Sequence, residues 1–83
     1  MTNSTRSVRA IAYEITDNWG KKTNFAAVPY LDAMKQLDSI DDNFYHDSGR
    51  SVVTYFLSNA TTWRGDVARR IKAELREMLK GGN

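Results

Sequence analysis

The chain has 83 residues and no cysteine; 41% of its residues are apolar, 27% are charged, and its formal net charge is +2. This composition predicts one small globular domain over residues 1–83, and it excludes disulfide bridges, thiolate chemistry and cysteine-containing zinc sites. No apolar run approaches the roughly 20 residues that span a bilayer, and the N-terminus lacks the apolar stretch of a secretory signal, so we expect a cytoplasmic protein without a membrane partner. We expect residues 1–4 and 81–83 to be flexible ends.

The charge is unevenly distributed along the chain. Residues 32–47 carry five aspartates against one lysine, whereas residues 64–80 carry six basic side chains against three acidic ones. Such asymmetry bears on partners and solubility rather than on the fold. We therefore expect a dipolar molecule.

The first predicted helix runs from about Thr5 to Trp19. Its apolar residues recur at the spacing that keeps one helical face inward: Val8, Ile11, Ala12, Ile15 and Trp19. Gly20 follows, and a glycine with a positive φ commonly ends a helix. Residues 21–27 are predicted to form a loop.

The second predicted helix runs from about Pro29 to Ile40. Proline suits the first helical position because its missing N–H has no partner there in any case. One apolar face is formed by Tyr30, Met34 and Leu37, with Leu31 at its edge. Residues 41–49 are rich in turn-forming residues, and we expect Phe44 and Tyr45 to fix this loop to the core.

The third predicted helix begins after Asp47 or Ser48, either of which can accept a hydrogen bond from its first amides. Its apolar face contains Val52, Val53, Phe56, Leu57 and Ala60, and residues 59–62 are predicted to end it. The fourth predicted helix runs from about Trp63 to Lys80, and Gly81 and Gly82 are expected to stop it. Its inward residues are Val67, Ala68, Ile71, Leu75, Met78 and Leu79. The four segments predict an all-α fold, a compact bundle of four short helices.

The residues that catalysis requires are scarce. The one histidine, His46, lies in a loop among aspartates, and we interpret it as a solvated or loop-capping side chain. Four neighbouring side chains, Asp41, Asp42, Asn43 and Asp47, superficially suggest a cation site, but the glycine and the closing glutamate of a calcium-binding loop are missing at the required spacing. We therefore predict a protein that is not an enzyme, with no catalytic residue, metal, cofactor or small-molecule substrate.

Two tyrosines lie outside the predicted apolar faces. Tyr13 and Tyr55 are expected either at the surface or at the edge of the core. Because protein interfaces are enriched in tyrosine, both are candidate contacts for a protein partner or a second copy of the chain. The structural alternative is ordinary packing at the rim of a small core.

A basic stripe runs along the fourth predicted helix. A step of about 100° per residue aligns Arg69, Lys72, Arg76 and Lys80. Such a stripe is typical of a DNA-recognition helix, and also of a solvated face that complements the helix dipole. Because the stripe lacks the short polar side chains that read base edges, its contacts would be mainly to phosphates. Arg70 and Glu74, four residues apart, can pair, although the order with the cation first is the weaker one.

Two segments, VPYLDAMKQLDSI and YFLSNATTWRGDVARRIKAELREMLKGG, resemble the compact helical proteins that bacteriophages of actinobacteria encode in large numbers. The resemblance covers about the last two-thirds of the chain. It implies a viral or prophage origin and a host-directed or regulatory role in the host cytoplasm, and it assigns no site residue. Taken together, the sequence predicts a small binding protein that acts through protein–protein interaction or self-association. The alternative is a small DNA-binding or regulatory protein that uses the basic face of the fourth helix.

Overall fold

The computed structural model describes residues 6–81, which contain four α-helices and one short β-ribbon. The helices are α1 (Val8–Trp19), α2 (Val28–Met34), α3 (Gly49–Ser58) and α4 (Asp66–Gly81). Two 3₁₀ turns, Gly20–Lys22 and Phe25–Ala27, follow α1, and the antiparallel strands β1 (Asn43–Phe44) and β2 (Asp47–Ser48) precede α3. Helices α1 and α3 each pack against both α2 and α4, so the four helices surround one core. The predicted all-α bundle of four short helices is confirmed. Within residues 6–81, no helix has both the length and the apolar character needed to cross a bilayer.

Helix α1 carries the predicted apolar face but begins at Val8 rather than near Thr5, which lies outside the described residues. Ser7 is its N-cap: the hydroxyl accepts a hydrogen bond from the amide of Ala10 at 3.0 Å. All five predicted apolar residues are buried. Gly20 follows with φ +56°, as the sequence predicted.

Helix α2 is shorter than predicted, because it ends at Met34 rather than Ile40. The carboxylate of Asp42 accepts hydrogen bonds from the amides of Asp38 and Ser39 at 3.0 and 3.1 Å. The helical ladder has already changed before this point, since the amides of Gln36 and Leu37 bond to carbonyls three residues back, and the Asp42 carboxylate then binds the next two amides. Leu37 and Ile40 remain buried after the helix has ended.

The predicted loop 41–49 contains the ribbon of β1 and β2. Tyr45, at its tip, has φ +57° and is 86% exposed, so the expectation that it fixes the loop to the core is wrong. Phe44 does pack against the core. Ser48 caps α3 by accepting a hydrogen bond from the amide of Ser51 at 3.1 Å.

Helix α4 begins at Asp66 rather than Trp63. Trp63 lies in a turn before the helix and is buried, with its amide bonded to the carbonyl of Ala60 at 3.0 Å. Gly65, with φ +111°, then leads the chain into the helix, a conformation that few other residues adopt. Gly81 is the last residue of the helix rather than a residue beyond it. The other predicted end positions, 1–4, 82 and 83, lie outside the described residues.

Candidate functional site

A concave surface of about 350 Å³ lies beside the N-terminal half of α4. We call it the cationic concavity, because four basic side chains line it: Arg64, Arg69, Lys72 and Arg76. None of the described residues on its walls is acidic. Three of its cations come from the predicted basic stripe, at positions that share one helical face.

Arg64 is the member of this set that sequence analysis missed. The periodicity placed it in the first turn of a helix, whereas the structure places it in the segment before α4. The adjoining Gly65, with its positive φ, turns the chain so that Arg64 joins the cations of the following helix. An arginine directly before a glycine and a helix-starting aspartate was the signal available in the sequence.

Lys72 is anchored to the wall of the concavity. Its Nζ donates a hydrogen bond to the carbonyl oxygen of Trp63 at 2.7 Å and lies 5.9 Å from the centre of the same residue's ring. Partial burial lowers the pKa of Lys72, and the positive charges of Arg76 and Arg64 lower it further. Arg76 and Arg64 thus lie close enough to disfavour the charged form of Lys72, and a bound anion would favour it.

Trp63 forms a fixed floor for the site. Its ring stacks on Trp19 with 5.5 Å between centroids and 16° between planes, and its indole N–H donates to Asn18 Oδ1 at 2.9 Å. Only 3% of Trp63 is exposed, so the ring presents no open face on which a base could stack. Trp63 therefore positions the surrounding cations, and the cations rather than the ring would contact a ligand.

The two outer members of the predicted stripe differ from the rest. Arg69 lines the concavity but also pairs with Asp66 at 3.0 Å, where both side chains are highly exposed and the pair is correspondingly weak. Lys80 is exposed in the last turn of α4 and does not line the concavity. The structure thus brings together three of the four predicted cations and leaves Lys80 apart.

The other side of α4 is held to α1 by ion pairs. Arg6 binds Glu74 through two nitrogens at 2.7 and 3.1 Å and Glu14 through a third contact at 2.7 Å. Arg70 pairs with Glu14 as well. The predicted pairing of Arg70 with Glu74 is therefore wrong, because each finds its partner on another segment. Hydrogen bonds from Arg6 and then Arg70 lower the pKa of Glu14.

The two candidate tyrosines are both at the surface, with Tyr13 56% and Tyr55 52% exposed. The ring of Tyr55 packs against Tyr30 of α2 at 5.6 Å between centroids, and the Nζ of Lys35 lies 5.5 Å from the centre of the Tyr13 ring. Each ring therefore has an intramolecular neighbour, and no aromatic contact among the described residues joins one to the other. Phe25, which sequence analysis did not single out, is more exposed than either.

His46 is exposed at the tip of the ribbon. Within residues 6–81, no group of three or more histidine, aspartate or glutamate side chains could hold a metal ion, and no polar side chain is fully buried. The cationic concavity brings together four basic side chains with no acidic residue on its described walls, and it is therefore the candidate site. Comparison with protein-family models, curated proteins and solved structures finds no match to the chain.

Proposed function

We propose that this chain is a small non-enzymatic binding protein whose ligand is the phosphate backbone of a nucleic acid. The observation that carries the proposal is the convergence of Arg64, Lys72 and Arg76 on one concave surface whose described walls hold no carboxylate. Burial is the main cause of the lowered pKa of Lys72, and the positive charges of Arg76 and Arg64 lower it further, so both arginines lie near its ammonium group. These observations favour the DNA-binding alternative over a protein partner that binds through Tyr13 and Tyr55.

The basic side chains of this surface match the oxygens of a phosphate. The planar guanidinium groups of Arg64 and Arg76 can each donate two parallel hydrogen bonds to phosphate oxygens. Lys72 adds a compact charge whose position is fixed by Trp63. The surface lacks the asparagine and glutamine side chains that distinguish bases, so the expected contacts are to the backbone and carry little sequence preference.

A protein partner is the second candidate. It is favoured by the exposure of Tyr13 and Tyr55, both of which lie beside α2. Their contacts with Lys35 and Tyr30 make them weaker evidence than Arg64 and Arg76 of the concavity, which join none of the ion pairs found among residues 6–81. We also propose, from the resemblance to phage proteins, that the chain originates in a phage or prophage and acts in the host cytoplasm.

The test is a fluorescence-anisotropy titration of labelled duplex DNA between roughly 50 and 200 mM salt. Contacts from three or four cations predict a log–log salt slope of about −2.7 to −3.6, from about −0.9 per phosphate. Arg76→Gln should weaken binding and make the slope about 0.9 shallower. Lys80→Gln is the matched control, because it removes one charge from the same helix outside the concavity.

Absence of binding at the lowest salt would overturn the proposal and leave the protein-partner candidate. Equal effects of the Arg76 and Lys80 substitutions would show attraction to net charge rather than contact at the concavity. If DNA does not bind, sedimentation of Tyr13→Ser/Tyr55→Ser decides the second candidate: loss of self-association with unchanged helicity would support it.

A further inference from the structure

A second concave surface, of about 400 Å³, adjoins the cationic concavity. Trp63 and Arg64 line both: the exposed Arg64 forms the ridge between them, and the buried Trp63 contributes to the floor of each. The far side of the second surface is formed by Asn18, at the end of α1, and by Lys22, in the 3₁₀ turn that follows. Thr62 completes its polar lining.

We propose that this second surface is a separate phosphate subsite, so that one nucleic-acid strand crosses the ridge and places backbone phosphates on both sides of Arg64. The inference rests on the proposed function and extends it. It assigns binding roles to Lys22 and Asn18, which lie outside α4 and were not predicted from the basic stripe. It also requires a ligand with at least two linked phosphates rather than a single free phosphate.

The polar groups of the second surface suit an anion. Lys22 supplies an ammonium group and Arg64 a guanidinium. The side-chain oxygen of Asn18 already accepts the hydrogen bond from the Trp63 indole, so the group that Asn18 can offer to a ligand is its NH₂ donor. No aspartate or glutamate is among the described residues that line this surface.

The charge pattern also fixes where the binding path ends. Beyond Asn18 lies a third, smaller concave surface of about 240 Å³, which Glu14 and Asp17 line. Glu14 is paired with Arg6 and Arg70, whereas Asp17 joins none of the ion pairs found among residues 6–81, so the Asp17 carboxylate would repel a phosphate. The basic path therefore extends from α4 over the ridge to Lys22 and stops at Asn18, which places Arg64 between the two subsites.

The test uses two neighbouring lysines as a matched pair. Lys22 lines the second surface, whereas Lys21, beside it in the same turn, does not, and both are exposed. Lys22→Gln should make the salt slope on duplex DNA about 0.9 shallower. The variant should therefore bind more weakly than the wild type at roughly 50 mM salt, and the ratio of the two affinities should shrink by about threefold as the salt rises to roughly 200 mM. Lys21→Gln should bind like the wild type. Arg64→Gln should weaken binding more than Lys22→Gln or Arg76→Gln, because it removes a contact on each side of the ridge.

The same titration with single-stranded DNA and with RNA identifies which form of phosphodiester backbone the two subsites prefer, and inorganic phosphate is the single-phosphate comparison. Tighter binding of the strands than of inorganic phosphate is expected. If the wild type binds and Arg76→Gln weakens binding, but Lys22→Gln behaves like Lys21→Gln, the second subsite is overturned and the proposed function stands. If the wild type binds none of the nucleic acids, the proposed function itself fails.

Discussion

The Nζ of Lys72 donates a hydrogen bond to the carbonyl oxygen of Trp63 at 2.7 Å, which holds the segment before α4 against the second turn of that helix. The contact therefore connects the aromatic core with the proposed binding surface. Trp63 belongs to the aromatic core with Trp19 and Phe56, and the residue after it, Arg64, separates the two basic surfaces. A single lysine thus contributes both to packing and to the charge offered to a ligand.

Lys72 should make nucleic-acid binding sensitive to alkaline pH. In the free protein, burial and the charges of Arg76 and Arg64 lower its pKa below the ordinary value of 10.5. A bound phosphate would raise that pKa again, because negative charge favours the ammonium form. Affinity is therefore full below the free-protein pKa and decreases as the pH rises through it, so the loss begins below the range of an exposed lysine.

The measurement is anisotropy at constant ionic strength across the alkaline range, with Lys72→Arg as the comparison. Arginine keeps its charge there, so this variant should lose the Lys72-dependent part of the pH profile. Identical profiles for the variant and the wild type would show that Lys72 does not contact the phosphate.

Acid should destabilise the fold through Glu14. Hydrogen bonds from Arg6 and Arg70 lower its pKa below the ordinary value of 4.5. Because the folded-state pKa is the lower one, the stabilisation is present above pH 4.5 and is lost as the pH falls through the folded-state value. Glu14→Gln should reduce the free energy of unfolding at neutral pH by about 0.2 to 1 kcal/mol, since these side chains are partly exposed.

Urea unfolding at neutral and acidic pH measures this contribution. Glu77→Gln is the control, because Glu77 is exposed and joins none of the ion pairs found among residues 6–81. If the wild type and Glu14→Gln lose the same free energy of unfolding on acidification, ionised Glu14 does not stabilise the fold.

Local periodicity predicted what local interactions determine. The buried faces of α1 and α3 follow the helical repeat, and Phe56 is buried as the repeat requires. The end of α2 could not be predicted in this way, since the apolar spacing continues to Leu37 and Ile40 while the backbone leaves the helix after Met34 and the Asp42 carboxylate binds the amides of Asp38 and Ser39. Likewise, the ion pair between Glu14 and Arg70 joins residues far apart in sequence, which no helical spacing rule describes.

The same distinction applies to the candidate site. Lys72 and Arg76 could be predicted because they share a face of one helix. Helical periodicity does not group Lys22 and Arg64 with them, because these residues come from separate segments that only the folded chain places around Trp63. The basic stripe of one helix therefore predicts only part of the proposed binding surface, which α4, the segment before it and the turn after α1 form together.

Gly49 should be intolerant of even the smallest side chain. It begins α3 and is buried, and its amide bonds to the carbonyl of Asp42 at 2.6 Å. A Cβ at this position would lie 2.6 Å from the carbonyl oxygen of Ile40 and 2.8 Å from that of Asp42. Both contacts are with backbone, so relief requires the segment before the ribbon to move rather than a side chain to rotate. Gly49→Ala should therefore cost about 1 to 3 kcal/mol of stability, as overpacking does elsewhere.

Gly81→Ala is the control for Gly49→Ala, because nothing lies within 4 Å of a Cβ at position 81. Its stability should stay within about 0.5 kcal/mol of the wild type. Thermal melts followed by circular dichroism compare the two variants, and a loss of 1 kcal/mol corresponds to roughly 4 to 8 °C in Tm for a domain of this size. If Gly49→Ala melts with the wild type, the segment from Ile40 to Asp42 can withdraw from α3 at little cost. The close approach of this segment to Gly49 would then be adjustable, and glycine would not be required at this position.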